Sequence, residues 1–131
     1  GVAEQRIEDN TVTTVWSPLH GITVRTEIIP TAQGHIRRHK IESEISCRAY
    51  DCGFAVANDC ETGFEQSAEG GSACARNRHT WCEVKGEGGS GIVFRAVPNT
   101  NLMEAMTSIP AVCYEIEKGI REVETVIQTG C

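Results

Sequence analysis

The sequence predicts an α+β fold: an α/β sandwich in which two helices pack on one face of an antiparallel sheet that disulfides staple. Three observations lead to it. All seven cysteines of the 131-residue chain lie between Cys47 and Cys131. Two segments of that region carry helix-capping patterns, and most of the others are rich in β-branched residues. We therefore expect a cysteine-free, β-rich arm over residues 1–46 and a cysteine-rich core over residues 47–131.

The arm is predicted to form strands. Residues 11–16 and 22–29 are rich in Val, Ile and Thr, and each is followed by a turn that contains proline. Residues 35–49 alternate between polar and apolar, which places Ile41 and Cys47 on one face of a half-buried strand. We expect these strands to extend the sheet of the core.

Two helices are predicted in the core, over residues 58–68 and 101–118. Pro110 either kinks the second helix or starts a new one with Ser108 as its cap. The second option aligns the apolar side chains of 109–116 in one stripe. Both helices begin with the residues of a capping box: Asn58 with Glu61, and Asn101 with Glu104.

The remaining core segments are predicted to be strands, over residues 80–85, 91–97 and 122–129. Residues 86–90 are rich in glycine and are expected to form a hairpin loop between two of them. A phosphate cradle is disfavoured there, because no Lys-Ser/Thr pair follows the glycines.

The cysteine pattern predicts disulfides in an oxidising compartment, because thiols at this density do not suit a reducing cytosol. No Cys-x-x-Cys pair occurs, so a metal site is not expected, and no cofactor is expected either. Seven is odd, so one thiol stays free or pairs between chains. We expect Cys60 to pair with Cys113, and Cys131 with a cysteine of the first core strand. The disulfide candidates are Cys47, Cys52, Cys60, Cys74, Cys82, Cys113 and Cys131.

The composition limits the compartment and the partners. We predict a secreted protein. Its presequence would already have been removed, because Gly1 is not a natural start. The net charge is −6, and residues 47–131 carry twelve acidic against seven basic side chains. This balance argues against nucleic acid and against an anionic membrane surface, both of which favour a basic face. No apolar run is long enough for membrane insertion.

No catalytic residue is expected. His79 and Cys82 would point to opposite faces of a strand, so they cannot form a dyad. His35 and His39 share a face and could bind a metal, but without a third ligand we expect them to be exposed side chains of an edge strand. Neighbouring glutamates fit solvated faces better than a hydrolytic pair: Glu115 with Glu117, and Glu122 with Glu124.

Several short motifs occur in the order found in a fungal family: Asp59-Cys60, Trp81-Cys82, Gly91–Phe94, Asn99–Asn101 and Gly130-Cys131. Over residues 47–131 the chain resembles small secreted killer-toxin-like proteins and the related necrosis-inducing, cysteine-rich effectors of plant-pathogenic fungi. The resemblance implies a secreted α/β sandwich that acts by binding, without catalysis.

The predicted function is that of a secreted, non-enzymatic effector or toxin-like virulence protein that binds a host or competitor protein. In a plant pathogen it would act in the apoplast. The alternatives are a small secreted hydrolase such as a ribonuclease, and a protease-inhibitor or lectin-like binding module. We expect a monomer, or a dimer through the odd cysteine. Arg37-Arg38 is a candidate processing site that would release residues 1–38 as a pro-segment.

Overall fold

The fold consists of β-strands. A computed structural model describes residues 4–58, 63–96 and 107–131. Within these ranges the chain forms twelve strands in two antiparallel sheets and no helix. The described part of the chain therefore contains no membrane-spanning helix. The predicted α+β sandwich with two helices is therefore wrong.

The larger sheet has eight strands. In spatial order they are β1 (Glu4–Glu8), β2 (Thr11–Leu19), β3 (Ile22–Thr31), β4 (Gly34–Ser43), β12 (Gly119–Gly130), β9 (Trp81–Gly86), β8 (Ser72–Arg76) and β7 (Glu65–Glu69). Residues 1–46 thus supply four neighbouring strands. Strand β4 pairs with β12 from Gly34↔Gln128 to Ser43↔Gly119, so the arm continues the sheet of the cysteine-rich region.

The smaller sheet lies over part of the larger one. It consists of β10 (Ser90–Ala96), β11 (Thr107–Ile116) and β5 (Cys47–Cys52), and the short β6 (Val56–Ala57) also pairs with β11. Strands β10 and β11 pack over β7, β8 and β9. Strands β1, β2 and β3 lie at the far end of the larger sheet, beyond this contact.

The predicted helix over residues 101–118 is a strand where the structure describes it. Side chains of β11 are buried with a period of two, at Ser108, Pro110, Val112, Tyr114 and Ile116. Proline is rare in a central strand because it cannot donate to the ladder. Here the Pro110 carbonyl accepts from the Gly53 amide at 2.7 Å. The Pro110 nitrogen faces the same side of the strand as this carbonyl. On that side β5 has ended and β6 has not begun, so no neighbouring strand requires a hydrogen-bond donor from Pro110.

The predicted helix over residues 58–68 is also wrong in its described part, because residues 65–69 form β7. Asn58 Oδ1 accepts a hydrogen bond from the Ser108 hydroxyl at 3.3 Å. Glu61, Asn101 and Glu104, the other capping-box residues, lie outside the described ranges.

The glycine-rich segment after β9 is not a hairpin loop within one sheet. It carries the chain from β9 in the larger sheet to β10 in the smaller one. A Cβ atom on Gly86 would overlap the Tyr114 hydroxyl, and one on Gly89 would overlap Val112. Glycine is needed here because the segment runs directly against the core side chains of β11.

The predicted disulfide staples are contradicted. Six cysteines lie in the described ranges and all six are free thiols: Cys47, Cys52, Cys74, Cys82, Cys113 and Cys131. Cys60 lies outside them. The expected bridges from Cys113 and from Cys131 are therefore not formed. Strand register separates the thiols of Cys74 and Cys82. Cys74 pairs with Glu83 and Cys82 pairs with Ala75, so the two cysteines point to opposite faces of the sheet.

The core lies between the sheets and is built from medium-sized side chains. Its fully buried members include Val84, Val112, Tyr114, Ile116 and Ile127. The Tyr114 hydroxyl lies 2.7 Å from Thr125 Oγ1 and donates to the Glu124 carbonyl at 3.2 Å. The buried Tyr114 therefore has its polar group satisfied, as burial requires.

Candidate functional site

A cleft opens where the larger sheet extends past the edge of the smaller one. Strand β5 is an edge of the smaller sheet, and the inner faces of β2 and β3 lie beside it. We call this space the inter-sheet cleft; it is lined by β2, β3, β4, β5, β11 and β12 and has a volume of about 370 Å³. This is within the range of about 300–1,000 Å³ that is typical of small-molecule sites.

The wall of the inter-sheet cleft is apolar. Its apolar residues include Trp16, Leu19, Ile22, Val24, Ile41 and Ile116. Period-2 alternation places them there: Trp16 pairs with Val24, and Val24 with Ile41, so these three side chains share the inner face. Trp16 is 44% exposed and Leu19 is 62% exposed. The wall therefore offers an open surface to an apolar group.

The floor of the cleft is polar and continuously hydrogen-bonded. Thr26 pairs with His39 across β3 and β4, and Thr26 Oγ1 lies 2.7 Å from His39 Nδ1. His39 Nε2 lies 2.6 Å from Asp51 Oδ2, which reaches across from β5. Arg37 Nη1 binds the other oxygen, Oδ1, at 2.6 Å, and also donates to the Cys52 carbonyl at 2.7 Å. We call Thr26, His39, Asp51 and Arg37 the polar relay.

Asp51 is ionised in this setting. Burial by itself would raise the pKa of Asp51, because desolvation disfavours the charged form. Hydrogen bonds from His39 and Thr125 and the positive charges of His39 and Arg37 outweigh burial, and together they lower the pKa from 3.8 to about 2. The Asp51 side chain is only 11% exposed, so this charge is held inside the protein by its partners.

His35 extends the relay on the far side of Arg37. Its Nε2 accepts from Arg37 Nε at 2.9 Å, so this imidazole is neutral with its proton on Nδ1. Burial and the Arg37 charge lower the pKa of His35. His35 and His39 do share the inner face of β4, but each is engaged by protein side chains, and neither is the exposed edge-strand histidine that we expected. No group of three or more metal-ligating side chains occurs within the described ranges.

A wider depression lies on the opposite face of the larger sheet. It is lined mainly by Arg25, Glu27, Arg38, Lys40, Glu122 and Glu124. Arg38 Nε binds Glu124 Oε2 at 2.9 Å, and both side chains are about half exposed. Three basic and three acidic side chains leave this surface without net charge, as in an ordinary solvated sheet face.

The remaining candidates from the sequence are scattered. Cys47 lines the inter-sheet cleft, whereas Cys82 is buried elsewhere and its sulfur accepts from the Phe54 amide at 3.3 Å. Burial raises the pKa of the Cys52, Cys74 and Cys82 thiols, so none of these three is an activated nucleophile. Glu115 binds Arg48 at 2.9 Å on the surface.

The predicted processing pair is divided between two environments. Arg37 points inward to Asp51, and Arg38 points outward to Glu124, both in the middle of a strand that pairs on both sides. Cleavage after Arg38 stays a prediction.

The sequence reasoning missed Thr26, Asp51 and Trp16. A signal for Asp51 was present: Cys47, Ala49 and Asp51 alternate with polar residues, so the carboxylate stands at an inward position of an otherwise apolar series. His39 likewise shares a face with Ile41. Polar residues at inward positions need buried partners, and their coincidence on two strands was the available clue.

Comparison with known proteins places the chain in one family. No curated protein matches it. A family model described as the DUF2264 C-terminal domain matches residues 3–128, which is nearly the whole length. The chain therefore belongs to the DUF2264 C-terminal domain family.

Proposed function

We propose that this domain acts by binding and without catalysis, and that the inter-sheet cleft is its binding site. The observation that carries the proposal is the composition of the cleft: an open apolar wall that includes Trp16, facing a floor of converging polar groups at Thr26, His39 and Asp51. Small-molecule sites have this combination, because apolar contact supplies affinity and a few polar groups fix orientation.

A small molecule fits the cleft better than a macromolecule does. The volume of about 370 Å³ suits a compact ligand. Thr26, His39 and Asp51 of the polar relay line the cleft and are largely buried, so a flat protein surface would have little access to them. The net charge of −6 disfavours polyanions such as nucleic acid. Of the alternatives from the sequence, the lectin-like binding module is the nearest to this proposal.

The proposal is tested with an uncharged fluorescent probe, N-phenyl-1-naphthylamine, whose emission rises in apolar surroundings. We expect saturable, one-to-one binding to the wild-type domain. Val24→Trp fills the cleft from β3 and should abolish the fluorescence rise. Thr23→Trp adds the same bulk one residue earlier, on the opposite face, and should leave probe binding unchanged.

Circular dichroism identifies variants that retain the fold. The proposal is overturned if the wild-type domain binds no probe saturably, or if a folded Val24→Trp variant binds it as well as the wild type does.

A hydrolase is the second candidate, and the polar relay favours it. The order hydroxyl, imidazole, carboxylate in Thr26, His39 and Asp51 is that of a nucleophilic triad. One feature favours binding instead: Arg37 already neutralises the carboxylate that would stabilise a developing imidazolium. The hydrolase would be favoured if the wild-type domain hydrolyses p-nitrophenyl acetate and the Thr26→Val variant does not.

Secretion, an effector role and a host or competitor protein as partner remain predictions, as does the expectation of a monomer or of a dimer through a cysteine. The argument from disulfides no longer supports secretion, since the six described thiols are free. Fractionation of the native source, with the domain traced by mass spectrometry, separates a secreted protein from a retained one.

A further inference from the structure

We propose that the inter-sheet cleft selects an uncharged, largely apolar molecule that carries one hydroxyl group, and that Thr26 binds this hydroxyl. The inference rests on the proposed function, since it names the ligand class of the same cleft. It follows from the donors and acceptors that the polar relay leaves available, from the charges around the cleft, and from the apolar wall.

The hydrogen bonds of the relay fix what Thr26 can offer. Ionised Asp51 can only accept, so His39 Nε2 must donate to it. In a neutral imidazole the other nitrogen, Nδ1, then accepts, and the Thr26 hydroxyl must donate to it. The hydrogen of Thr26 is thereby committed, and its oxygen presents only lone pairs to the cleft. A ligand at this position needs a donor.

Protonation of His39 reverses the roles at Thr26. Both imidazole nitrogens then donate, so the Thr26 oxygen accepts from Nδ1 and its hydrogen is released toward the cleft. A ligand hydroxyl fits both states, because it can donate in one and accept in the other. An ether or a ketone can only accept, and it therefore lacks a partner when His39 is neutral.

The charges around the cleft disfavour an acid. Arg37 is already bound to Asp51, to the Cys52 carbonyl and to His35. Arg48, at the mouth, is bound to Glu115 at 2.9 Å. A ligand carboxylate would lie near ionised Asp51 and lose its hydration without gaining an uncommitted arginine among the described lining residues. The body of the ligand meets the apolar wall of β2, β3 and β4, so it must be mostly hydrocarbon.

The test compares three ligands of matched size by calorimetry at pH 7.5: 1-octanol, its isomer 1-methoxyheptane, and octanoate. We expect octanol to bind at least about tenfold more tightly than the ether, the effect of one satisfied hydrogen bond in a buried site. Octanoate should bind more weakly than octanol by a similar factor or more.

Two variants assign the effect to Thr26. Thr26→Val keeps the shape of the side chain and removes its hydroxyl, so it should weaken octanol about tenfold and leave the affinity for the ether unchanged. Thr23→Val makes the same substitution on the outer face of β3 and should change neither.

Several outcomes overturn the inference. The inference is wrong if the affinities for octanol and the ether agree within twofold. It is also wrong if octanoate binds more tightly than octanol, or if Thr26→Val weakens the binding of both neutral ligands equally. If Thr26→Val does not fold, the three wild-type affinities decide alone. If the cleft binds the fluorescent probe but none of the three ligands, this inference fails and the proposed function stands. If the probe does not bind either, both fail.

Discussion

Asp51 is the residue whose ionisation links the two sheets. Its folded-state pKa of about 2 lies below the ordinary value of 3.8, so the ionised form favours the native state wherever the pH is above about 4. As the pH falls through 3.8 toward 2, the unfolded chain takes up the proton first and this stabilisation is lost.

We predict the contribution of Asp51 from the size of that shift, which corresponds to about 2 kcal/mol. The free energy of unfolding of the wild type should exceed that of Asp51→Asn at pH 6, and the difference should shrink by about 2 kcal/mol at pH 2. Urea denaturation over this pH range measures it. A difference that does not change with pH would contradict the assigned pKa.

Arg37 and Arg38 are adjacent in sequence and differ in environment, so they form a matched pair. The Arg37 side chain is 19% exposed and that of Arg38 is 55% exposed. Arg37→Met leaves the buried Asp51 charge without its arginine partner and should cost about 3 kcal/mol of stability. Arg38→Met removes a surface ion pair and should cost less than about 1 kcal/mol. Equal costs in urea denaturation would show that Arg37 does not stabilise Asp51.

At the scale of elements, the segment between β9 and β10 depends on close packing. Gly86→Ala places a methyl group against the Tyr114 hydroxyl, and we predict a loss of about 1–3 kcal/mol. Tyr114→Phe removes that hydroxyl and its hydrogen bonds, which costs about 1 kcal/mol. Because the closest overlap of the methyl group is then removed, the double variant should lose less stability than the sum of the two single variants. Additive losses in thermal denaturation would locate the strain elsewhere.

Strands with plain alternation were predictable from the sequence, whereas those with an interruption were not. The segments predicted at 11–16, 22–29, 80–85, 91–97 and 122–129 fall on β2, β3, β9, β10 and β12. Strand β11 lies in a predicted helix, because Asn101 and Glu104 form a capping box and the apolar residues of 109–116 align in one stripe if Pro110 starts a new helix. The gap between β5 and β6 that tolerates this proline depends on tertiary pairing, which local pattern does not contain.

The same limit applies to the inter-sheet cleft. We expected His39 to be exposed and did not single out Asp51. Alternation is compatible with inward positions for both residues, but it cannot show that they lie opposite each other, because they belong to different sheets. Trp16 follows from a strand prediction, yet its exposure depends on how far β2 extends beyond the smaller sheet. Pairing between strands can be partly inferred from alternation, whereas the relative placement of two sheets cannot.

At the scale of the whole molecule, stability must come from packing and strand pairing, since the six described cysteines are not bridged. We therefore predict that strong reductant leaves the melting temperature unchanged. In the native protein, iodoacetamide should modify the exposed Cys52 and Cys131 faster than the buried Cys82, as mass spectrometry of peptides would measure. A large fall of the melting temperature in reductant would restore the disulfide prediction.

Processing after Arg38 has a structural consequence, because the first 38 residues contain β1, β2, β3 and half of β4. A chain of residues 39–131 lacks the partner of β12 between Gly34 and Arg38, and it leaves Asp51 without Arg37. We predict that this fragment shows no cooperative unfolding by circular dichroism. A chain of residues 10–131 loses only β1, whose side chains are all exposed, and should unfold cooperatively with a small loss of stability.

Adding residues 1–38 to the 39–131 fragment distinguishes nicking from release. Backbone pairing of β3 with β4 and the contact of Arg37 with Asp51 should recover the fold from the two pieces, since both interactions cross or flank the cut. A protein cleaved after Arg38 would then keep its inter-sheet cleft, because Trp16 and Thr26 remain in place on the noncovalently bound piece. If residues 39–131 fold cooperatively alone, the arm is dispensable, and a cleft that requires β2 and β3 cannot be the functional site of the processed form.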